Sequence, residues 1–202
     1  MKHILLIRHG LPHEGHPVHP GDPPLHPDGM RHAQRLARRL QREGVDCIVS
    51  SPQRRAMDTA QPLARLLGIA PTIYEGLAEV DHGTDRYRSV ETMQAEDPKG
   101  FSRFMVSPAR FFGKDPDEFR QGVLSAFEAA MREANGQRIA IFAHGMTIKT
   151  ILCASLSTEE AYARFLINHC SVSRLSGSIP GKMRVDSINE SLCKPASRKH
   201  AN

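Results

Sequence analysis

The stretch "ILLIRHGLP", residues 4–12, joins a short apolar run to a cation, an imidazole and a glycine. The run Ile4–Ile7 is too short for a helix, and its length and composition are typical of a buried strand. Gly10 would allow a sharp change of backbone direction directly after that strand. The sequence therefore places Arg8 and His9 at the end of a predicted strand.

A second buried run, "RIAIFA" at Arg138–Ala143, ends in the same way, because His144 and Gly145 follow it. Ligands of open parallel sheets bind beyond the carboxyl ends of the strands. One His-Gly pair alone is a weak signal, but two pairs at equivalent strand ends indicate a shared site. We therefore predict that His9 and His144 lie close together at one edge of a sheet.

Short apolar runs alternate with helical patterns along the rest of the chain. This alternation favours an α/β fold, a three-layer α/β/α sandwich with a mainly parallel central sheet. The predicted strands are Ile4–Arg8, Cys47–Ser50, Thr72–Tyr74, Arg138–Ala143 and a closing pair at Ser171–Leu175 and Lys182–Ile188. The predicted helices are Asp28–Glu43, Ser51–Leu67, Ser89–Ala95, Asp115–Asn135, Met146–Ser155 and Thr158–Asn168.

The chain has 202 residues, a length that favours one domain. We assign residues 1–190 to a single domain. A less regular insertion at about 77–113 is expected to cover one end of the sheet, and residues 191–202 form a polar C-terminal tail.

The composition, with 40% hydrophobic and 24% charged residues, is that of an ordinary globular protein. No apolar run approaches the ~20 residues that span a membrane, and the N-terminal run is shorter than the ~7–15 apolar residues of a signal peptide. We therefore predict a cytoplasmic protein without a membrane partner. Its four cysteines lack the spacing of a zinc site, so reduced thiols are expected.

The formal net charge of +5 favours acidic partners such as phosphorylated small molecules. The chain has no tryptophan and only 5% aromatic residues, so a base-stacking surface for nucleic acid is not expected. The oligomeric state is left open, with a homodimer as one option. Much of the excess charge lies on one predicted helix, where a solvated face is the simpler interpretation, at Arg31, Arg35, Arg38, Arg39 and Arg42.

A further cation lies in "SSPQRRAMDTA", residues 50–60, where a predicted helix begins directly after a strand. Arg55 falls in the first turn of that helix, so its guanidinium would add donors to the positive end of the helix dipole. Taken alone, it could equally be a surface arginine. Together with Arg8, His9 and His144 it would form a pocket for an oxyanion.

Four segments together resemble the histidine phosphatase superfamily, the phosphoglycerate mutase-like proteins. They are "LIRHG", "SSPQRRAMDTA", "LAEVDHG" and "AHGMTIK", and both their order and their spacing match the family. In addition, "NHCSVSRL" is similar to the family's closing strand. The resemblance covers about residues 2–175 and implies a phosphoglycerate mutase-like fold.

The resemblance implies a role for each residue of the pocket. His9 corresponds to the nucleophile, which would carry the phosphoryl group as a phosphohistidine. His144 corresponds to the second histidine, which binds the phosphoryl group and stabilises its charge. Arg8 and Arg55 would hold the phosphoryl oxygens and disfavour the protonated form of His9.

Glu79, in "LAEVDHG", lies where the family carries its general acid. It would protonate the leaving oxygen and then activate water. Asp81 and His82 are close in sequence and remain alternative candidates. No metal and no other cofactor is predicted, since arginines and histidines supply the positive charge.

These features favour hydrolysis of a small phosphomonoester. The first alternative is a phosphoglycerate mutase-type isomerase; the second is a non-catalytic module that binds a phosphorylated ligand. The mutase is disfavoured by the chain length and by residues 11–15, "LPHEG", which depart from the family's Glu-Thr and its following Asn. The binding module is disfavoured because binding alone does not need Glu79.

A histidine-rich loop follows the first strand, with four histidines among prolines at positions 13, 16, 19 and 26. One interpretation is a metal site. Prolines, however, prevent these side chains from sharing one helical face, and no cysteine lies nearby. The other interpretation is a rim that recognises the leaving group, and the role of the loop stays open.

Overall fold

A computed structural model describes residues 1–158, 166–179 and 182–191. Its strands are β1 Lys2–Arg8, β2 Cys47–Ser50, β3 Thr72–Ile73, β4 Arg138–Ala143, β5 Ser171–Gly177 and β6 Arg184–Ser191. Its α-helices are α1 Pro27–Leu40, α2 Arg54–Leu67, α3 Val90–Glu96, α4 Pro98–Val106, α5 Pro108–Phe111, α6 Pro116–Glu133 and α7 Gly145–Ser155.

The six described strands form one sheet in the order β3-β2-β4-β1-β5-β6. The first four strands in that order are mutually parallel, β5 pairs antiparallel with β1, and β6 pairs antiparallel with β5. The predicted α/β fold with a mainly parallel sheet is therefore confirmed. The predicted closing pair is also confirmed, since β5 and β6 are hydrogen-bonded neighbours.

Helices cover both faces of the sheet, because the strands at its centre are apolar on both sides. In β1, Ile4 and Leu6 pack with residues of α6 and α7. Leu5 and Ile7 face the other way and pack with residues of α1 and α2. A strand buried on both faces has a continuous apolar run rather than an alternating one, which explains the pattern of residues 4–7.

The register of two central strands places the predicted site. β1 and β4 are parallel neighbours that pair Arg8 with Ala143. The residues that directly follow the two strands, His9 and His144, therefore lie side by side at the same edge of the sheet. The His9 N–H donates to the Ala143 carbonyl oxygen at 3.0 Å, and β2 ends alongside at Ser50, where the next N–H, that of Ser51, donates to the Phe142 carbonyl oxygen.

Helix α2 begins later than predicted. The Ser-Pro pair at Ser51 was expected to start the helix, but the N-cap is Gln53 and the first helical residue is Arg54. The reason is that Ser51 has another partner, since its Oγ lies 2.7 Å from His144 Nε2. Most of the helix predicted at 158–168 lies outside the described residues, and residues 166–168 are not helical.

Helices α3, α4 and α5 follow one another within the predicted insertion, where one helix was expected. The Glu14 carboxylate, in the loop after β1, accepts hydrogen bonds from the Ser89 N–H and the Thr92 hydroxyl, both at 3.0 Å. A Cβ at Gly21 would collide with the Thr84 carbonyl oxygen, so only glycine permits this close approach. The loop and the insertion therefore form one rim.

No helix among the described residues has both the length and the apolar character needed to cross a bilayer.

Candidate active site

His9 is fixed in one tautomer by its own backbone environment. The side chain is 2% exposed, and its Nδ1 lies 2.8 Å from the Gly10 carbonyl oxygen. A carbonyl can only accept, so Nδ1 carries the proton and Nε2 keeps its lone pair. The Gly10 N–H in turn donates to Thr59 Oγ1 at 2.9 Å, which anchors the turn to α2.

Burial lowers the pKa of His9 well below its usual value, and nearby Arg55, His144 and Arg8 lower it further. Protonation of His9 would place another positive charge beside these groups, which is unfavourable. The imidazole is consequently neutral at physiological pH. A neutral imidazole with a free Nε2 lone pair can act as a nucleophile.

Arg8 lies at the end of β1 and reaches across the site. Its Nη1 donates to the Ile167 carbonyl oxygen at 2.5 Å, while its buried Nε has no partner among the described residues. A Cβ at Gly145 would lie 3.7 Å from Arg8 Nε and 3.9 Å from Glu79 Oε2. The Arg8 guanidinium and the Glu79 carboxylate therefore both lie close to Gly145, the first residue of α7.

Arg55 is fully buried in the first turn of α2 and paired with Asp81. Its Nη2 donates to the two carboxylate oxygens at 2.7 and 3.0 Å, and the Tyr87 ring centroid lies 4.9 Å from its Cζ. Burial disfavours the guanidinium, but Asp81 outweighs this and raises the pKa of Arg55. Its Nε and Nη1 have no hydrogen-bond partner in the described chain. The Asp22 carboxylate lies 3.9 Å from Nη1.

His144 packs close to His9, with ring centroids 5.1 Å apart. The Ser51 hydroxyl, which accepts the Gln53 N–H at 3.3 Å, can donate its own hydrogen to His144 Nε2 if that nitrogen keeps its lone pair. The ring proton then lies on Nδ1, which is buried and lacks a partner among the described residues. Burial lowers the pKa of His144 well below its usual value, and Arg55 adds to the effect.

A third histidine, which the sequence analysis did not select, completes this group. The His169 ring centroid lies 5.3 Å from that of His9, and burial lowers the pKa of His169 to about 3. The signal that could have identified it is topological. Strand β5 pairs antiparallel with β1, so the residues before β5 lie beside those after β1. The Cys170 N–H accordingly donates to the Arg8 and His9 carbonyl oxygens.

Six buried side-chain polar atoms in the described part of the chain lack a hydrogen-bond partner, and five belong to this group. They are Arg8 Nε, Arg55 Nε and Nη1, His144 Nδ1 and His169 Nε2. Buried polar atoms are normally paired, so a cluster of exceptions needs an explanation. Donors on two guanidiniums and two imidazoles suit an anion with several oxygens.

Glu79 contributes a carboxylate to the same site. Its Oε1 accepts the Val80 N–H at 3.0 Å, and its Oε2 accepts the Met146 N–H at 2.8 Å in the first turn of α7. Burial raises the pKa of Glu79, and the neighbouring Asp81 charge raises it further. A carboxyl group of raised pKa can hold a proton for a reaction at neutral pH.

The two alternative acids have different surroundings. Asp81 binds Arg55 with both oxygens, and its Oδ1 also accepts from Gln53 Nε2 at 3.1 Å. His82 is exposed. The structure thus brings together Arg8, His9, Arg55, Glu79, Asp81 and His144, and leaves the His82 side chain in solvent.

The loop histidines gather near one another at the rim. His13 lies 5.2 Å from His16 and 5.8 Å from His26 between ring centroids. His26 has a structural role, since its Nδ1 accepts the Asp28 N–H at 3.2 Å and caps α1. Within the described residues, no three or more His, Cys, Asp or Glu side chains are grouped so that they could hold a metal ion.

Comparisons with known proteins identify the family. The chain matches the family model described as "Histidine phosphatase superfamily (branch 1)" over residues 4–191. It is 28% identical over 166 residues to phosphoserine phosphatase 1 of Hydrogenobacter thermophilus, covering 79% of this chain and 78% of the relative. A probable phosphoglycerate mutase of Salmonella arizonae is 26% identical over 184 residues, covering 87% of this chain and 85% of the relative.

A solved structure shares the fold at lower identity. A mycobacterial glucosyl-3-phosphoglycerate phosphatase, in complex with VO3, aligns with a TM-score of 0.77 at 23% identity. The alignment covers 95% of this chain and 100% of the other.

The sandwich fold and the cationic pocket at its strand ends define the class as an enzyme that acts on phosphate esters. The chain belongs to the histidine phosphatase superfamily, since the family model matches nearly its whole length. The resemblance in the sequence is thereby confirmed, and the protein is a phosphatase.

Proposed function

We propose that this phosphatase hydrolyses a small phosphomonoester through a phosphohistidine on His9. The observation that carries the proposal is the set of five unpartnered buried nitrogens on the guanidinium and imidazole donors that lie near His9. A phosphoryl group has three non-bridging oxygens, which these donors can bind together. Neutral His9, with Nδ1 protonated, leaves Nε2 available to phosphorus.

In the first step, His9 Nε2 attacks phosphorus and the bond from phosphorus to the ester oxygen breaks. Glu79 gives its proton to that oxygen, so the alcohol leaves in its neutral form. The guanidiniums of Arg8 and Arg55 and the N–H groups of His144 and His169 stabilise the negative charge of the transferring group.

In the second step, a water molecule attacks phosphorus and the phosphorus–nitrogen bond breaks. The Glu79 carboxylate takes a proton from this water, inorganic phosphate leaves, and His9 regains its starting state. One residue thus serves as acid and then as base, which needs a pKa near the working pH. The raised pKa of Glu79 and the lowered pKa of His9 support these two roles.

The test is a comparison of wild type with His9→Ala on phosphoserine and 3-phosphoglycerate. Relatives bear the names of phosphoserine phosphatase and phosphoglycerate mutase, so these two esters are the first substrates to try. We expect phosphate release by wild type and none by the variant. Rapidly quenched wild type should carry base-stable, acid-labile phosphate that His9→Ala lacks. Normal turnover by His9→Ala would disprove the mechanism.

A phosphoglycerate mutase is the second candidate, because relatives described as probable phosphoglycerate mutases match 87% of this chain. A mutase would hold the phosphoryl group on His9 and return it to a second hydroxyl. Isomerised phosphoglycerate that forms faster with a bisphosphoglycerate primer would select the mutase. Free phosphate without isomerisation would select the phosphatase.

The cytoplasmic location, the open oligomeric state and the absence of a nucleic-acid or membrane partner stay predictions. Cys47, Cys153 and Cys170 are free thiols. Reduced thiols are the usual state of cysteines in the cytoplasm.

A further inference from the structure

The side chain of Gln53 is buried beside the site and has no role in the steps above. It is 1% exposed, and its amide forms two hydrogen bonds with the segment that carries the acid. Oε1 accepts the Glu79 N–H at 2.7 Å, and Nε2 donates to Asp81 Oδ1 at 3.1 Å. A backbone N–H only donates and a carboxylate only accepts, so the two partners fix the orientation of the amide.

The backbone of Gln53 is bonded to two other parts of the site. Its N–H donates to Ser51 Oγ at 3.3 Å, and that oxygen lies 2.7 Å from His144 Nε2. Its carbonyl oxygen accepts the N–H groups of Ala56 and Met57 at 3.0 and 3.1 Å, in the turn of α2 that carries the buried guanidinium. One residue thus joins the segments that supply the second histidine, the buried arginine and the acid.

The ion pair between Arg55 and Asp81 leaves part of the guanidinium unused. Pairs of this kind frequently form two parallel hydrogen bonds from two nitrogens. Here Nη2 alone donates to both carboxylate oxygens, at 2.7 and 3.0 Å. Nε and Nη1 have no hydrogen-bond partner in the described chain, so two of the three nitrogens stay available to an anion.

We infer that Gln53 is a positioning residue, which keeps two donors of Arg55 available to the phosphoryl group and holds Glu79 in place as the acid. This inference rests on the proposed function, which assigns those donors and that acid. Asp81 Oδ1 is held by Gln53 Nε2 as well as by Arg55 Nη2, so the carboxylate does not turn toward Nε and Nη1. Gln53 Oε1 fixes the backbone from which the Glu79 carboxyl group enters the site.

The first test measures the binding of inorganic phosphate to Gln53→Met by calorimetry. Methionine is unbranched and fills a similar space, but it cannot hold the Asp81 carboxylate. Phosphate affinity should fall about 10- to 100-fold, because hydrogen bonds from a charged donor are lost. In an Asp81→Asn background the same change should alter affinity less than about threefold, since an amide has one acceptor oxygen and cannot form the parallel pair.

The second test compares kcat on phosphoserine and on p-nitrophenyl phosphate, whose leaving group departs without a proton. Gln53→Met should lose about 10-fold more activity on phosphoserine, because a misplaced acid slows only the step that needs it. This difference should persist in the Asp81→Asn background, since the bond to the Glu79 N–H does not involve Asp81. Wild-type phosphate affinity, or equal loss of affinity in both backgrounds, would overturn the role of Gln53 toward Arg55. Equal losses of activity on the two esters would overturn its role toward Glu79.

A buried serine outside the site gives the control for general destabilisation. Ser173 Oγ, on β5, accepts the Asn189 N–H at 3.0 Å. Ser173→Ala should lower the melting temperature as a lost buried hydrogen bond does, yet keep the phosphate affinity and the ester ratio of wild type. A Ser173→Ala variant that reproduced both losses of Gln53→Met would assign those losses to destabilisation and overturn the inference.

If Gln53→Met does not fold, Gln53→Glu tests the same contact. A protonated carboxyl group has a donor and an acceptor, as the amide has, whereas an ionised one can only accept. Phosphate affinity relative to wild type at the same pH should therefore fall between about pH 5 and pH 9, the range in which buried glutamates titrate. A ratio that stays constant over this range would overturn the inference.

The binding measurements separate this inference from the proposed function. If His9→Ala turns over normally while Gln53→Met weakens phosphate binding, the proposed function fails and the positioning of Arg55 stands. If wild type carries phosphate on His9 and Gln53→Met matches it in both tests, the inference fails alone.

Discussion

Replacing Glu79 by glutamine separates proton transfer from phosphate binding. Glutamine keeps the shape of the side chain but cannot protonate the leaving oxygen. General acid–base catalysis contributes about 10²–10⁴-fold, or about 3–5 kcal/mol in the barrier. We expect Glu79→Gln to lower kcat for phosphoserine by that factor. KM should stay the same or fall, because glutamine is always uncharged, whereas the ionised fraction of Glu79 repels the phosphate.

The structure also indicates how much this substitution should destabilise the fold. The two oxygens of Glu79 accept the N–H groups of Val80 and Met146 at 3.0 and 2.8 Å. A glutamine has one acceptor oxygen, so one of these N–H groups loses its partner. An unpaired buried donor costs about 1–3 kcal/mol, which a thermal melt would detect. A structural defect of this kind would slow the hydrolysis of every substrate alike. Loss of the general acid would slow only the hydrolysis of esters whose leaving group needs a proton.

The assay therefore compares phosphoserine with p-nitrophenyl phosphate, whose nitrophenolate departs without a proton. Glu79→Gln should lose far less activity on the nitrophenyl ester. Asp81→Asn keeps an oxygen that can accept from Arg55, and His82→Gln alters an exposed side chain, so neither should show a leaving-group dependence. Equal losses of Glu79→Gln on both esters would refute the assignment. A leaving-group dependence in either control would move the acid to that residue.

The pH dependence of activity gives a second test of the roles of Glu79 and His9. Glu79 must be protonated to act as the acid, and burial raises its pKa, so activity should persist above the usual range of a glutamate and fall as pH rises further. His9 must be neutral, and its lowered pKa shifts the acidic limb well below the usual range of a histidine. Glu79→Gln should lose the alkaline limb and keep the acidic one.

Three further outcomes are expected. Arg55→Lys keeps the charge but loses the planar donor pair, so kcat/KM should fall about 10- to 100-fold, and wild-type kinetics would remove Arg55 from the site. His169→Phe keeps a ring of similar size but removes the nitrogen near His9, so kcat/KM should fall about 10-fold with little change in melting temperature; unchanged kinetics would assign His169 to packing alone. Activity should survive EDTA, since arginines and imidazoles supply the charge, and loss on chelation with recovery on metal addition would contradict this.

The residues that end parallel strands could be predicted from the sequence. His9 and His144 each follow a buried run, and one rule of sheet geometry brings such positions together. Arg55 could be predicted for the same reason, because its helix follows the end of β2. Each of these predictions depends on one strand and the residues directly after it, which local patterns reveal.

Residues that depend on contacts between distant elements could not be predicted. His169 enters the site because β5 runs antiparallel beside β1, and no local pattern records that pairing. Asp81 was considered only as an acid, since nothing in its neighbourhood indicates the ion pair with Arg55. The predicted start of α2 was wrong because Ser51, although its hydroxyl could cap a helix, lies beside His144.

The unpartnered donors of Arg55 connect the stability of the fold with its chemistry. Asp81 neutralises the buried guanidinium through Nη2 and leaves Nε and Nη1 without partners in the described chain. A buried ion pair adds little net stability, and an unpaired buried donor costs about 1–3 kcal/mol. The apolar strands offset this, because each buried Ile or Leu contributes about 1.5–3 kcal/mol. On the proposed function, the fold thus holds donors in place before the substrate arrives, and such preorganised donors stabilise a transition state without reorganisation of the protein.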